Sequence, residues 1–243
     1  MNQPNNWLPR TKAMNILLIE TATSVCSVAI GIDGRVAAIR ETDQPNAHSS
    51  KMNAFIGELM EETGLKPTQV HAACVSGGPG SYTGLRIGVS AAKGLCYGLG
   101  IPLLSVPTLK NMAAGYLQRH PDYDGAVCPM IDARRMECYT AIYNSSLDEV
   151  KPVSADIIEL GIYDRWLDSG QVAFIGDGAA KTQPLLAVHP NALFDADYRI
   201  SAAPMLPLAE KLLQEGRVED VAYYEPFYLK DFVAKKSIVR GLF

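Results

Sequence analysis

The stretch AVCPMIDARRMECYTAIY at residues 126–143 decides the fold, because it repeats the pattern of NILLIETATSVCSVAI at residues 15–30. In each stretch an apolar run ends in a carboxylate, and a cysteine that opens a second run follows six residues later. The four positions are Glu20 with Cys26, and Asp132 with Cys138. Apolar runs of this kind are typical of strands that are buried on both faces. The match indicates a duplicated unit of strands and helices, with a chance coincidence as the alternative.

A second match supports duplication, because a strand enters a glycine turn in HAACVSGGPG and again in QVAFIGDG. Hydrophobic periodicity predicts further elements around both. The predicted strands are residues 15–20, 26–32, 35–40, 71–76, 102–106, 126–132, 137–143 and 171–178. The predicted helices are residues 50–63, 85–99, 108–119, 179–188 and 205–215. Ser49 and Ser50 are the predicted caps of the first helix. We expect an α/β protein with a tail at residues 1–13 and domains at 14–120 and 121–243, the C-terminal segment being able to pack back on the first domain.

The composition is that of an ordinary globular protein, with 243 residues of which 48% are apolar. It excludes disordered and collagen-like classes. No apolar run is long enough for a transmembrane helix, and the first residues lack the apolar core of a signal peptide, so we expect a cytoplasmic protein. Five cysteines without a CxxC pair argue against a disulfide framework or a cysteine zinc site. With a net charge of -4, the chain does not have the excess of basic residues that is usual in a protein that binds nucleic acid without a partner.

The glycine-rich loop GGPGSYTG at residues 77–84 is the strongest local motif. Gly78, Gly80 and Gly84 let the backbone approach an anion at a helix N-terminus, where the hydroxyl of Ser81 can also donate. The loop is neither a Walker motif nor a dinucleotide fingerprint. The alternative is a tight turn whose glycines serve close packing of a helix on a strand.

Two strand ends carry the other candidate groups. If the duplicated halves face each other, Glu20 with Thr21 and Asp132 lie across one cleft and can hold a metal–nucleotide complex through water. Gly176 and Gly178 form a second candidate backbone cradle. The alternatives are separate strand-end caps or ion pairs with the neighbouring arginines for the acids, and a simple turn for the glycines.

The sequence offers no catalytic constellation and no metal site. Its four histidines, His48, His71, His120 and His189, are never three or four residues apart, so no helical metal pair forms. No nucleophile elbow occurs in the form that a strand, turn and helix require. We therefore predict no catalytic residue and no metal ligand.

Helix 50–63 carries an apolar stripe at helical spacing, formed by Met52, Phe55, Ile56, Leu59 and Met60. Core packing explains such a stripe. A partner surface is the alternative, because methionine-rich faces adapt to partners.

Five segments of the chain form a recognisable series, which reads in order NILLIETATSVCSVAI, GGPGSYTGLRIG, IDARRMECY, FIGDGA and EPFYLKD. Together they resemble the bacterial TsaB (YeaZ) family. The resemblance spans residues 14–229. It implies two ribonuclease-H-like halves of the actin-like ATPase superfold, which includes sugar kinases, Hsp70 and actin. It also implies a role in making threonylcarbamoyladenosine next to the anticodon of tRNA, as a non-catalytic scaffold or regulatory subunit.

In that resemblance the paralogue TsaD is the transferase, TsaE is a third component and TsaC supplies the activated threonylcarbamoyl group. TsaD holds a metal with two histidines in a VNHLEGH segment. When this segment is placed on residues 106–112, its histidines coincide with Thr108 and Met112. Neither of these side chains is a competent ligand for that metal. The group was once classed as M22 glycoproteases, but without those histidines nothing supports a peptidase.

The resemblance places the TsaD contact on helices 50–63 and 85–99, which adds Leu95, with Tyr97 nearby, to the candidate interface and allows a homodimer of the isolated protein. Contact with tRNA then occurs mainly through the complex. The family's Asp-Thr-Ser reads Glu20-Thr21-Ala22 here, so ATP or ADP with magnesium is at most a weak ligand. A small-molecule kinase or ATPase of the same superfold, using Glu20, residues 78–84 and Asp132, is the alternative function.

Overall fold

The computed structural model describes residues 14–230, so the predicted tail at residues 1–13 and the end of the second domain lie outside the described residues. Two five-stranded sheets form the framework. The strands are β1 (Asn15–Glu20), β2 (Cys26–Ile32), β3 (Arg35–Thr42), β4 (Ala72–Ser76), β5 (Leu103–Val106), β6 (Ala126–Asp132), β7 (Glu137–Tyr143), β8 (Glu149–Ile157), β9 (Val172–Ile175) and β10 (Ala192–Asp195). The α-helices are α1 (Ala47–Ser50), α2 (Met52–Thr63), α3 (Tyr82–Leu99), α4 (Thr108–Arg119), α5 (Asp164–Leu167), α6 (Ala179–Leu186) and α7 (Met205–Gln214).

The two sheets repeat one topology. The first has the order β3-β2-β1-β4-β5, and the second, counted from the other edge, has the order β8-β7-β6-β9-β10. In each, the opening strand pairs antiparallel with the next strand and parallel with the strand that follows a helical connection. The duplicated ribonuclease-H-like fold is therefore confirmed.

Several element boundaries differ from the predictions. Helix 50–63 is two helices, α1 and α2, with Lys51 between them, and the hydroxyls of Ser49 and Ser50 donate back to the Asn46 carbonyl instead of capping α2. Helix α3 begins at Tyr82 rather than at residue 85, because the Ser81 hydroxyl accepts the Gly84 N–H and caps it there. Strands β8 and β10 and helix α5 were not predicted.

Each sheet lies between helices on its two faces. Helices α2 and α3 cover one face of the first sheet, and α7 covers the other through Met205, Leu206, Ala209 and Leu213. On the second sheet, α4 covers one face, and α5 with α6 covers the opposite face. Each sheet thus borrows a helix from the other half of the chain, because α4 precedes residue 120 and α7 follows it.

After α7 the chain returns to the first sheet as an extended segment, residues 217–230, which we call the C-terminal strap. The Glu219 N–H donates to the Leu103 carbonyl (2.9 Å), and the Phe227 N–H donates to the Gly77 carbonyl (2.7 Å). Lys93 on α3 donates to the Tyr224 carbonyl (2.9 Å). The strap thereby reaches the glycine loop. Within residues 14–230, no helix is both long and apolar enough to cross a membrane.

Candidate functional site

A cleft of about 780 Å³ opens between the two sheets where their strands end. Five segments of the described chain line it. They are the loop after β1 (residues 22–24), the β3–α1 loop (residues 43–46) with His48, the start of α3 (residues 80–83), the end of β6 and its turn (residues 131–134) with Tyr139 and Asp177, and the end of the strap (residues 228–230). This cleft is the candidate site that duplication predicts, since equivalent strand ends of both halves meet there.

The predicted site residues are not all in this cleft. Gly80, Ser81 and Asp132 line it. Gly78 lines a second cavity of about 480 Å³ beside the strap, and Gly176 lines a third of about 260 Å³. Glu20, Thr21, Gly84 and Gly178 line none of these three cavities, and all four are buried.

Several N–H groups of the glycine loop are used in the protein's own hydrogen bonds. The Gly77 N–H donates to the Val106 carbonyl (2.8 Å), and the Gly78 N–H donates to the hydroxyl of Thr108 (3.1 Å). The Ser81 N–H donates to the Ala22 carbonyl (2.7 Å). These N–H groups are not available to an anion, which favours the packing alternative for this loop.

Steric contacts explain why the loop needs glycine. A Cβ at Gly84 would overlap the carbonyl oxygen of Thr21, and one at Gly80 would overlap the carbonyl of Ala22. Gly78 has a φ of +100°, and a Cβ there would overlap the Phe227 carbonyl. The glycines let α3 and the strap approach the end of β1 at backbone contact distance.

Glu20 is a structural carboxyl group in the interior, and the expectation that it faces the cleft is wrong. It is fully buried and accepts hydrogen bonds from the Ala22 N–H (2.8 Å), from the Asn111 amide (2.8 Å) and from the Ser76 hydroxyl. Burial raises the pKa of its carboxyl from 4.5 to about 7, although the three hydrogen bonds act in the opposite direction. Glu20 and Asp132 therefore do not face each other as a pair of ligands.

Asp132 faces the cleft but already has partners. Its carboxylate forms an ion pair with Lys181 and accepts the Arg134 N–H (2.8 Å). Its own N–H donates to the carboxylate of Asp177 (2.9 Å). These bonds link the ends of β6 and β9 and hold the following turn in place, so the ion-pair alternative describes Asp132, with Lys181 rather than an arginine as its partner.

The N–H groups of the second glycine turn, at Gly176 and Gly178, also form hydrogen bonds within the protein. The Gly176 N–H donates to the Asp195 carbonyl (3.3 Å), and the Gly178 N–H donates to the Met130 carbonyl (3.0 Å). A Cβ on Gly178 would lie 2.8 Å from the sulfur of Cys138. With Glu20 buried and the N–H groups of Gly78, Gly84, Gly176 and Gly178 bonded within the protein, the structure does not form the facing carboxylates by which the sequence predicted that a magnesium–nucleotide complex is held.

Two arginines in the turn after β6 were considered from the sequence only as ion-pair partners of the acids and not as ligand-binding residues. Arg134 and Arg135 have φ values of 71° and 50°, in the left-handed region that residues other than glycine rarely adopt. Arg134 lines the cleft, and both side chains are exposed. The sequence signal was the ARR run itself, but only the backbone shows its conformation.

The predicted interface stripe is partly core. Met52 and Leu59 are buried against the first sheet, whereas Phe55, Ile56, Met60 and, on α3, Leu95 are half-buried against the same core. The exposed residues of α2 and α3 include Gly57, Gly94, Tyr97 and Gly98, and Tyr97 is 86% exposed. Among the apolar residues that the sequence pointed to on these helices, Tyr97 is thus the exposed one, and the stripe of α2 itself is buried or half-buried.

Residues 42–238 match the family model described as TsaD, tRNA N6-adenosine threonylcarbamoyltransferase. An Escherichia coli protein named tRNA threonylcarbamoyladenosine biosynthesis protein TsaB is 33% identical over 93% of this chain and 98% of its own length. The chain belongs to the TsaB family. A Bacillus subtilis TsaB is 36% identical over 57% of this chain and 60% of its own length. The solved structure of YeaZ from Pseudomonas aeruginosa is 25% identical, with a TM-score of 0.77, and the match covers 89% of this chain and all of that one.

Within this TsaB-family chain, the two positions on which the resemblance lays the metal-binding histidines of TsaD have structural roles. Thr108 is buried and its hydroxyl accepts the Gly78 N–H. Met112 is buried in the core that α4 forms with the second sheet. Among residues 14–230, no group of three or more His, Cys, Asp or Glu side chains is arranged to hold a metal ion.

Proposed function

We propose that this protein is a non-catalytic subunit of the complex that forms threonylcarbamoyladenosine in tRNA, and that it supports the transferase TsaD. The observation that carries the proposal is the use of Thr108 and Met112. At the positions where the resemblance places the metal-binding histidines of TsaD, this chain has a hydroxyl bonded to the Gly78 N–H and a buried thioether. Both side chains stabilise the fold, and neither replaces a histidine as a ligand for that metal.

The contact with TsaD is proposed on the outer face of α2 and α3. Tyr97 offers a large exposed aromatic group, the residue type that is enriched in interface hot spots. Gly57 and Gly94 lie on the same two helices, and a Cβ on either would meet nothing within 4 Å. The partner's helices can therefore approach this face closely, with Phe55 and Leu95 half-buried beneath it.

The same face serves a homodimer when TsaD is absent, which makes the two assemblies mutually exclusive. TsaE joins the TsaD heterodimer as the third component, and tRNA is bound mainly by the complex in the cytoplasm. A net charge of -4 supports this division, because a chain with a small excess of negative charge has no general electrostatic attraction for a polyanion.

Gly94→Glu tests the proposed contact. Gly94 has open space around it, and glutamate favours an exposed helix interior over glycine by about 0.5–1 kcal/mol, so the variant folds at least as well as the wild type. We expect it to lose capture of purified TsaD from the same organism. Gln214→Glu on α7 is the matched control, since it adds the same charge to an exposed helix position away from this face.

Undiminished capture by Gly94→Glu would remove α2 and α3 from the interface. The non-catalytic role is tested separately with the purified protein, ATP and magnesium. Rapid ATP turnover without any partner would overturn that role in favour of a kinase or ATPase. Restoration of threonylcarbamoyladenosine in tRNA from cells depleted of their own TsaB, measured by mass spectrometry, is the result that the proposal requires.

A further inference from the structure

The turn after β6 holds two consecutive arginines in a conformation that is unfavourable for them. Arg134 and Arg135 have φ values of 71° and 50°, and each left-handed residue other than glycine costs on the order of 1 kcal/mol or more. The Ala133 N–H donates to the Glu137 carbonyl (3.0 Å), and the Arg134 N–H donates to the Asp132 carboxylate (2.8 Å), so the turn is tightly held. Asparagine and glycine would satisfy this backbone with less strain. The arginine side chains therefore need a reason other than folding.

The two guanidinium groups have no partner among residues 14–230. Neither arginine has a side-chain hydrogen bond or ion pair with any of residues 14–230, and both are exposed. The carboxylates beside them are already used, since Asp132 pairs with Lys181 and Glu137 pairs with Lys230. Two further carboxylates line the cleft, and these also have partners: Asp43 pairs with Arg199, and Asp177 accepts the Asp132 N–H. The turn is thus a point of uncompensated positive charge on a chain whose net charge is -4.

Aromatic rings line the same cleft that Arg134 lines. Tyr139 on β7 and Tyr228 at the end of the strap both form part of its wall. The ring of Tyr228 packs against Tyr82, with a distance of 4.9 Å between the ring centroids, which fixes its orientation. Arginines that contact phosphates and aromatic rings that stack on bases are the combination by which proteins hold single-stranded nucleic acid.

We propose that Arg134 and Arg135 bind two phosphates of a single-stranded segment of tRNA, whose unpaired base enters the cleft beside Tyr139 and Tyr228. The proposal rests on the function proposed above and adds this chain's own contact with the RNA. Guanidinium groups match phosphate oxygens in a bidentate manner, and the rigid turn keeps the pair positioned before binding. We favour single-stranded RNA over an acidic protein surface because stacking on aromatic rings is a general way in which proteins hold unpaired bases.

The test compares the wild type with Arg134→Asn/Arg135→Gly, each in complex with TsaD, for binding to an unmodified tRNA transcript. We expect affinity at 0.1 M salt to fall about tenfold, and the slope of log affinity against log salt to decrease by about 1.4, for two contacts at about 0.7 each. Arg35→Gln/Lys66→Gln is the control. It removes two exposed positive charges that do not line the cleft, and both values should stay unchanged.

Thermal unfolding of the isolated variant would detect a folding defect. Because asparagine and glycine adopt the left-handed backbone of this turn more easily than arginine, we expect the unfolding midpoint to rise by about 2–4 °C. Unchanged tRNA affinity and salt slope would overturn the proposal. Weaker association of the variant with TsaD in the absence of tRNA would also overturn it, since the arginines would then face protein carboxylates. Failure of the wild type to bind TsaD would instead refute the proposed function.

Discussion

Glu20→Gln is the most informative single substitution, because it removes a charge from the protein interior and leaves the shape of the side chain nearly unchanged. Glu20 lies at the end of β1 with no exposed surface, and its partners are the Ala22 N–H, the Ser76 hydroxyl and the Asn111 amide. In the unfolded chain the carboxyl is solvated and ionises near its ordinary pKa of 4.5, whereas burial raises that pKa to about 7 in the folded protein.

The sign of the effect follows from linkage. Because the folded-state pKa is the higher one, the folded protein binds the proton more tightly, and this contribution to stability is complete below pH 4.5. It is lost as the pH rises through about 7, where the buried carboxyl must ionise. The difference between 4.5 and about 7, at about 1.4 kcal/mol for each pKa unit, corresponds to a loss of about 3 kcal/mol.

The assay is urea unfolding of the wild type and of Glu20→Gln at pH 5 and at pH 8. We expect the free energy of unfolding of the wild type, relative to the variant, to fall by about 2–3 kcal/mol between the two pH values. Glu61→Gln, at an exposed position on α2, should show no such change. A constant difference between the wild type and Glu20→Gln at both pH values would refute the assignment of Glu20 as a buried carboxyl that gains a proton near neutral pH.

Two further predictions concern the packing of the first domain, each read from urea unfolding at pH 8. Gly84→Ala should destabilise the protein by about 1–3 kcal/mol, because its Cβ would overlap the Thr21 carbonyl; a neutral result would mean that α3 can move away from β1. Leu59→Ala should cost about 2–5 kcal/mol because Leu59 is fully buried, whereas Gly57→Ala on the same helix should be stabilising, and equal effects of the two would contradict the observed orientation of α2.

The central strands were predictable because their chemistry is simple. Strands β1 and β6 are buried on both faces, so their sequences are continuous apolar runs, and their predicted bounds agree with the structure. Strand β8 has the sequence EVKPVSADI and lies at the edge of its sheet, where Lys151 and Asp156 form a shielded ion pair. A proline and several polar residues remove the apolar pattern on which strand prediction depends.

The site was less predictable than the fold, because a strand-end position does not reveal which way its side chain is shielded. Asp132 stays at the cleft surface beside Lys181. Glu20 occupies the equivalent place in the first half but is covered by α4, whose Asn111 binds both Glu20 and the Ser201 carbonyl. That contact joins residues 91 positions apart in the chain, and no local pattern of apolar residues indicates it.

The exchange of helices between the halves explains why the two strand ends came to differ. Helix α4 follows the first sheet in the chain but packs on the second, so it passes over the end of β1 and buries Glu20 there. At the corresponding end of β6 the space is left open and is bounded by the C-terminal strap, whose Lys230 pairs with Glu137. The cleft is thus lined by chemical groups of both halves and of the strap, with Asp43, His48 and the capped end of α3 from the first half and Arg134 from the second. It follows that substitutions at Arg134 should alter ligand binding at little cost in stability, whereas substitutions at Glu20 should alter stability first.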